Sequence, residues 1–186
     1  MNLPNKLTVA RIILTPFYLA AMVINFKYHY LVAAVIFIVA SITDFLDGKI
    51  ARKNNLVTTF GKLCDPVADK MLTTAALLAF MQLGLCNIWI VMIILTREFL
   101  VTSFRLVASA QGVVIAAGIW GKLKTASQMI FSIVIMLGIH FVDAFDRDFD
   151  TFSLISNILL WITALLTVIS GIKYLVDGKK VIDFSK

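Results

Sequence analysis

Residues 44–69 read DFLDGKIARKNNLVTTFGKLCDPVAD, and they set four aspartates, two glycines and an arginine between two apolar runs. If the flanks are helical, at about 100° per residue, then Asp47, Gly48, Ala51 and Arg52 all fall within about 80° of Asp44, while Phe45, Leu46 and Ile50 point elsewhere. Gly61, Asp65 and Asp69 recur every four residues and drift by only about 40° per step. Two helices joined by a short connection run antiparallel, so these faces can meet. The carboxylates of Asp44, Asp47, Asp65 and Asp69 would then converge at one edge of an apolar bundle. Such groups repel one another, and near a bilayer each costs about 2.5–3.5 kcal/mol. A hard divalent cation, Mg²⁺, Mn²⁺ or Ca²⁺, relieves the repulsion because it takes oxygen ligands. Gly48 and Gly61 leave room for a ligand against the backbone, and the Arg52 fork suits a phosphate. A solvated loop between membrane helices is the alternative. Two in-phase aspartate pairs with glycines on the same faces argue against it.

The elements that must position these groups are apolar. The chain of 186 residues is 60% hydrophobic and 15% charged, with a mean hydropathy of +0.94. A soluble domain is nearer half apolar, so the composition predicts an all-α, polytopic membrane protein. Apolar segments over residues 7–26, 30–50, 63–85, 88–109, 124–142 and 152–174 each approach the ~20 residues a span needs. The expectation is a six-transmembrane-helix bundle forming one domain over residues 1–186. Neither a repeat nor a low-complexity tract divides it. The opening MNLPNKLTVARIIL lacks a small-residue cleavage site and continues as an apolar run to Phe26, so it reads as retained structure.

The net charge of +6 does not call for nucleic acid, because basic residues in a membrane protein report orientation and headgroup contact. With both termini placed in the cytoplasm, that side holds fifteen of the seventeen Lys and Arg residues, and only Lys27 and Arg147 lie outside. The positive-inside rule then turns the aspartate motif toward the cytoplasm. Cys64 and Cys86 lack metal-ligand spacing and read as packing residues.

Other polar residues stand out from apolar surroundings. Arg97 and Glu98 follow a long apolar run, with Arg105 about 20° off the face of Glu98. Charges inside a membrane usually face the bundle interior and mark function, and the alternative is a structural ion pair. Lys122 and Lys124 precede the expected fifth helix, and Thr125 would lie near its N-terminus, where backbone N–H groups attract anions. Ordinary positive-inside flanking explains these lysines equally well. Asn5, Thr8 and Arg11 recur at three-residue steps after Pro4. His29 and His140 fall at the outer interface, far from the aspartates, and no Ser/His/Asp arrangement can be assembled. Asp143, Asp146, Asp148 and Asp150 read as a solvated outer loop.

The full pattern D-x2-D-G-x2-A-R-x8-G-x3-D-x3-D is met by Asp44, Asp47, Gly48, Ala51, Arg52, Gly61, Asp65 and Asp69. On these residues the chain resembles the CDP-alcohol phosphatidyltransferase family, whose length and six-span pattern are also similar. The opening P-N-x-L-T-x-x-R (Pro4 to Arg11), T-R-E-F (Thr96 to Phe99) with Arg105, and G-K-x-K-T-x-x-Q (Gly121 to Gln128) resemble the branch whose acceptor is sn-glycerol 3-phosphate. The resemblance implies transfer of a phosphatidyl group from CDP-diacylglycerol to that acceptor, with release of CMP. It implies a two-ion centre of Mg²⁺ or Mn²⁺ held by Asp44, Asp47, Asp65 and Asp69, with Asp69 as catalytic base on the acceptor hydroxyl. CDP-diacylglycerol would be held by Asn5, Thr8, Asp44, Gly48, Arg52 and Gly61, and the acceptor phosphate by Arg97, Arg105, Lys122 and Lys124. It also implies a homodimer in a bacterial plasma membrane.

Two alternatives stay open at this point. One keeps the reaction and changes the acceptor to inositol phosphate, serine or a second phosphatidylglycerol. The cations at Arg105, Lys122 and Lys124 favour a phosphorylated acceptor over serine. The other is a divalent-cation transporter. It leaves Gly48 and Arg52 without a purpose, and it places the carboxylates at a membrane edge instead of the midplane.

Overall fold

The structure, a computed structural model, describes residues 3–53, 59–111 and 118–179. Among these residues it is all helical and contains no strand. The helices are α1 (Leu3–Val23), α2 (His29–Lys53), α3 (Thr59–Gln82), α4 (Ile88–Ala110), α5 (Ile119–Ala144) and α6 (Phe149–Lys179). Stretches Asn5–Val23, Ile119–Ala144 and Phe149–Gly178 are each long and apolar enough to cross a membrane. In α4 the apolar run is interrupted by Arg97, Glu98 and Arg105, and the apolar part of α2 is the shorter His29–Asp44. Large apolar side chains such as Phe17, Trp89 and Leu165 cover the outside. Water would not tolerate so many, and lipid does, so the chain is a membrane protein.

α1 packs on α2 and α3, α2 on α5, and α6 on α4 and α5. The core holds Tyr18, Phe37, Leu77, Phe80, Ile90, Ile94, Ile135 and Met136 among the alanines Ala21, Ala33, Ala34, Ala40, Ala76 and Ala79. Small residues let helix backbones approach closely, which is where dispersion attraction operates when lipid replaces water. Buried hydroxyls on α6 bond within the helix: Ser156 to Phe152 O at 2.9 Å and Thr167 to Thr163 O at 2.7 Å. No unpaired hydroxyl is then left at those two positions.

The helices extend past the apolar runs at the motif-bearing end. α5 begins at Ile119, with Gly118 as its extended N-cap at φ −69° and ψ 168°. Lys122 and Lys124 therefore lie inside the helix, where the sequence had placed them before it. α2 and α3 likewise run through the aspartate motif, and only residues 54–58 between them lie outside the described residues. Pro4 sits in the first turn of α1, where a missing N–H costs nothing.

At the opposite end the turns are built from local caps. Gly84 adopts φ +74°, and its carbonyl accepts from Ser153 at 2.7 Å, tying the α3–α4 turn to α6. Asn87 caps α4 by accepting from Trp89 N at 2.9 Å. Asp143, Asp146, Asp148 and Asp150 are all exposed. Asp148 caps α6, accepting from the Thr151 hydroxyl and from Asp150 N. The Thr151 hydroxyl, more than the backbone groups, holds its carboxyl below the usual range. His29 is buried against Tyr30, with Nδ1 3.1 Å from Ala21 O. It opens α2, about 22 Å of helix from Asp44, so it serves packing and not the aspartates.

Burial pushes the Cys86 thiol up to about 12. The thiolate is the reactive form, so alkylation of Cys86 by iodoacetamide at pH 8 should run on the order of 1000-fold slower than for free cysteine. Mass spectrometry of timed samples reads this directly, and labelling at the free-thiol rate would contradict the packing role.

Candidate active site

The α1 face bearing Asn5, Thr8, Arg11 and Thr15 is buried. Its spacing of three and four residues puts these side chains in one row toward α2 and α3. Arg11 Nη1 lies 2.5 Å from Asp44 Oδ1, and the Thr8 hydroxyl donates to Asp65 Oδ1 at 2.7 Å. Adjacent turns of α1 thus hold one aspartate from each motif helix. Arg11 is only 1% exposed; a buried guanidinium needs an anion beside it, and Asp44 supplies one. The carboxylate of Asp44 stays 38% exposed on its other side.

Gly61 is buried in the first turn of α3. The side chains of Asp47, Gly48 and Arg52 in α2 and of Asp69 in α3 lie outside the described residues. Among the described residues no group of three or more ligating side chains is gathered. The fit to a cation therefore rests on the chemistry of the donor set. Asp44 and Asp65 are brought to one α1 face, and each has a second motif aspartate one turn further along its own helix. An all-carboxylate set suits a hard divalent ion.

Asp65 also lines a cavity of about 510 Å³ between α3, α4, α5 and α6. Arg97 and Arg105 of α4 and Lys124 of α5 line it as well. Three of the four cations expected at the acceptor phosphate thus share one volume with a motif aspartate. Lys122 is the exception: it is exposed and not in the lining. Residues two apart on a helix point to different sides, so only one of the two lysines can face inward. Lys124 does, at 1% exposure.

The cavity carries five basic side chains against three acidic ones. The adjacent Arg97 and Glu98 do not pair with each other: Glu98 accepts from Lys124, and Arg97 Nη2 donates to Ser170 of α6. Two glycines make room for Arg97. A Cβ at Gly171 would meet its Cγ at 3.0 Å, and one at Gly121 would lie 3.9 Å from Nη2. Lys70 of α3 donates to the Thr102 hydroxyl of α4, which itself bonds Glu98 O at 2.8 Å.

Sequence reasoning left out Arg11 as a partner of Asp44, and it left out the whole α6 wall. Ser170, Lys173, Tyr174 and Asp177 all line the cavity. Their spacing of three, four and seven is present in the sequence, where Lys173 counts only among the cytoplasmic basic residues. No local signal says that α6 returns beside α4.

The comparisons agree with this geometry. The family model described as CDP-alcohol phosphatidyltransferase matches residues 1–169. A relative from Bacillus subtilis named CDP-diacylglycerol–glycerol-3-phosphate 3-phosphatidyltransferase is 41% identical over 93% of this chain and 93% of its own. Relatives with the same name from Rickettsia bellii and Haemophilus influenzae are 38% and 34% identical, each over 96% of this chain and over 96% and 94% of their own. A motif aspartate and a basic cavity in one helical site, matched along most of the chain, place this protein in the CDP-alcohol phosphatidyltransferase family.

Proposed function

We propose that this enzyme transfers the phosphatidyl group of CDP-diacylglycerol to sn-glycerol 3-phosphate, giving phosphatidylglycerophosphate and CMP in phospholipid biosynthesis. The observation that carries the acceptor assignment is the single cavity shared by Asp65, Arg97, Arg105 and Lys124. A phosphorylated alcohol meets both needs of that volume, an anion for the cations and a hydroxyl near the aspartates. In the reaction the acceptor 1-hydroxyl attacks the phosphatidyl phosphorus in line. A new O–P bond forms, the bond to CMP breaks, and Asp69 takes the hydroxyl proton.

Asp44, Asp47, Asp65 and Asp69 would hold two divalent ions, Mg²⁺ or Mn²⁺. Bound metal supplies neutralisation of the diphosphate and of the leaving group. Asn5, Thr8, Gly48, Arg52 and Gly61 hold the CDP-diacylglycerol head, with Thr8 fixing Asp65 and Arg11 fixing Asp44 as described. Lys122, outside the lining, serves in headgroup contact and not in the acceptor site. All six helices cross a bacterial plasma membrane as one domain, with the termini and the site cytoplasmic, and the chain works as a homodimer. The excess of Lys and Arg on that side supports the orientation.

The test is CMP release by detergent-purified protein given CDP-diacylglycerol, Mg²⁺ and a panel of acceptors. Release that requires glycerol 3-phosphate is expected. Release that answers instead to inositol phosphate would change the acceptor, and none with any acceptor would remove the reaction. Chelation with EDTA should abolish release, and Mg²⁺ or Mn²⁺ should restore it while Ca²⁺, larger and less strict in geometry, should not. Full activity in EDTA after exhaustive dialysis would exclude the metal-held site.

A further inference from the structure

The cavity leaves two hydrogen-bonding groups unanswered. Arg97 Nε and the Tyr174 hydroxyl are both enclosed, and neither has a hydrogen-bond partner among the described residues. Both residues line the same volume. A buried polar group without a partner is costly, so two of them beside one cavity call for an occupant that answers both.

Each group is firmly placed. The Arg97 stem is pressed to Gly171, and its Nη2 is taken by Ser170. The Tyr174 ring meets the Phe104 ring edge-on, with centroids 6.0 Å apart and planes at 76°. Residues 170, 171 and 174 occupy a single turn of α6, so one helix aims both the guanidinium and the phenol. The Tyr174 hydroxyl also lies within electrostatic reach of Arg97 and Arg105. A guanidinium N–H and a phenol O–H on residues that line one cavity, with Arg105 also in the lining, select an oxygen-rich anion.

We infer that Tyr174 is a further acceptor-binding residue, its hydroxyl and Arg97 Nε–H together hydrogen-bonding the phosphate of bound glycerol 3-phosphate. This rests on the acceptor assignment above and adds a neutral donor to its cations.

Tyr174→Phe removes one oxygen and keeps the ring against Phe104. In the full-length, detergent-purified enzyme with saturating CDP-diacylglycerol and Mg²⁺, KM for glycerol 3-phosphate should rise about tenfold. KM for CDP-diacylglycerol should hold and kcat should stay within about twofold, as expected for loss of an interaction made equally before and in the transition state. Inorganic phosphate, competing with glycerol 3-phosphate, should weaken by the same factor. An unchanged KM overturns the inference. So does a KM rise with phosphate inhibition unaltered, because the contact is then not to phosphate. A joint loss in both substrates with a lower melting temperature assigns Tyr174 to packing and overturns it too. Failure of the acceptor reading itself would show in the wild type, as CMP release that ignores glycerol 3-phosphate.

Discussion

Asp69→Asn is expected to lower acceptor-dependent CMP release by about 10²–10⁴-fold, the range a positioned general base contributes, while CDP-diacylglycerol still binds. Asp65→Asn is expected to lose at least as much and to lose CDP-diacylglycerol binding with it. The difference follows from position. Asp65 accepts the Thr8 hydroxyl from the α1 face that also holds Asp44 through Arg11, and the proposed function gives it the nucleotide and its metal. Asp69 follows one turn later in the α3 sequence, and the proposed mechanism gives it the acceptor hydroxyl. Asparagine at 65 retains an oxygen for Thr8, so the loss reports the missing charge and not a collapsed helix pair. Single-turnover CMP release, measured beside equilibrium binding of radiolabelled CDP-diacylglycerol, separates the two variants. Asp69→Asn keeping more than a tenth of the wild-type rate would remove the base from the mechanism.

The aspartate motif was legible because carboxylates in apolar sequence are costly and their helical phase can be computed from spacing alone. The all-helical architecture followed from run lengths. What stayed hidden depends on which helix lies beside which. Arg11 reads as an ordinary flank of the first span until α1 is seen packed on both α2 and α3, where the guanidinium meets Asp44. Lys122 and Lys124 cannot be told apart while the helix start is unknown. Beginning α5 at Ile119 instead of residue 124 turns one lysine into the cavity and the other away from it. Glu98 beside Arg97 suggests a local pair, yet neighbours in sequence point about 100° apart on a helix, and each finds its partner on another helix. Tyr174 shows only its spacing from Ser170 and Asp177, which names no partner in a last span rich in apolar residues. Its meaning comes only from Phe104 and Arg97 across the α4–α6 contact.

The Glu98–Lys124 pair is the site's second large liability, and its two ends should not respond alike. Lys124 is 1% exposed, whereas the Glu98 side chain is 23% exposed. Removing the anion strands a buried ammonium; removing the cation leaves a carboxylate with access to solvent. Glu98→Gln should therefore destabilise the protein by about 3 kcal/mol, lowering the melting midpoint by roughly 5–10 °C. Lys124→Met should melt near the wild type. Because an ammonium has three donors, Lys124 can serve Glu98 and a phosphate together, so Lys124→Met should raise KM for glycerol 3-phosphate by about 10- to 100-fold. The double variant Glu98→Gln/Lys124→Met discriminates the two roles: removing the stranded ammonium recovers stability, and it cannot recover the lost phosphate contact. Melting and KM should thus part company in the double variant, with stability restored and acceptor affinity still low. Equal destabilisation by both single variants would mean that Glu98 is as dependent on Lys124 as the reverse. Recovery of KM in the double variant would mean that the lysine serves only to balance Glu98, leaving Arg97, Arg105 and Tyr174 to hold the acceptor.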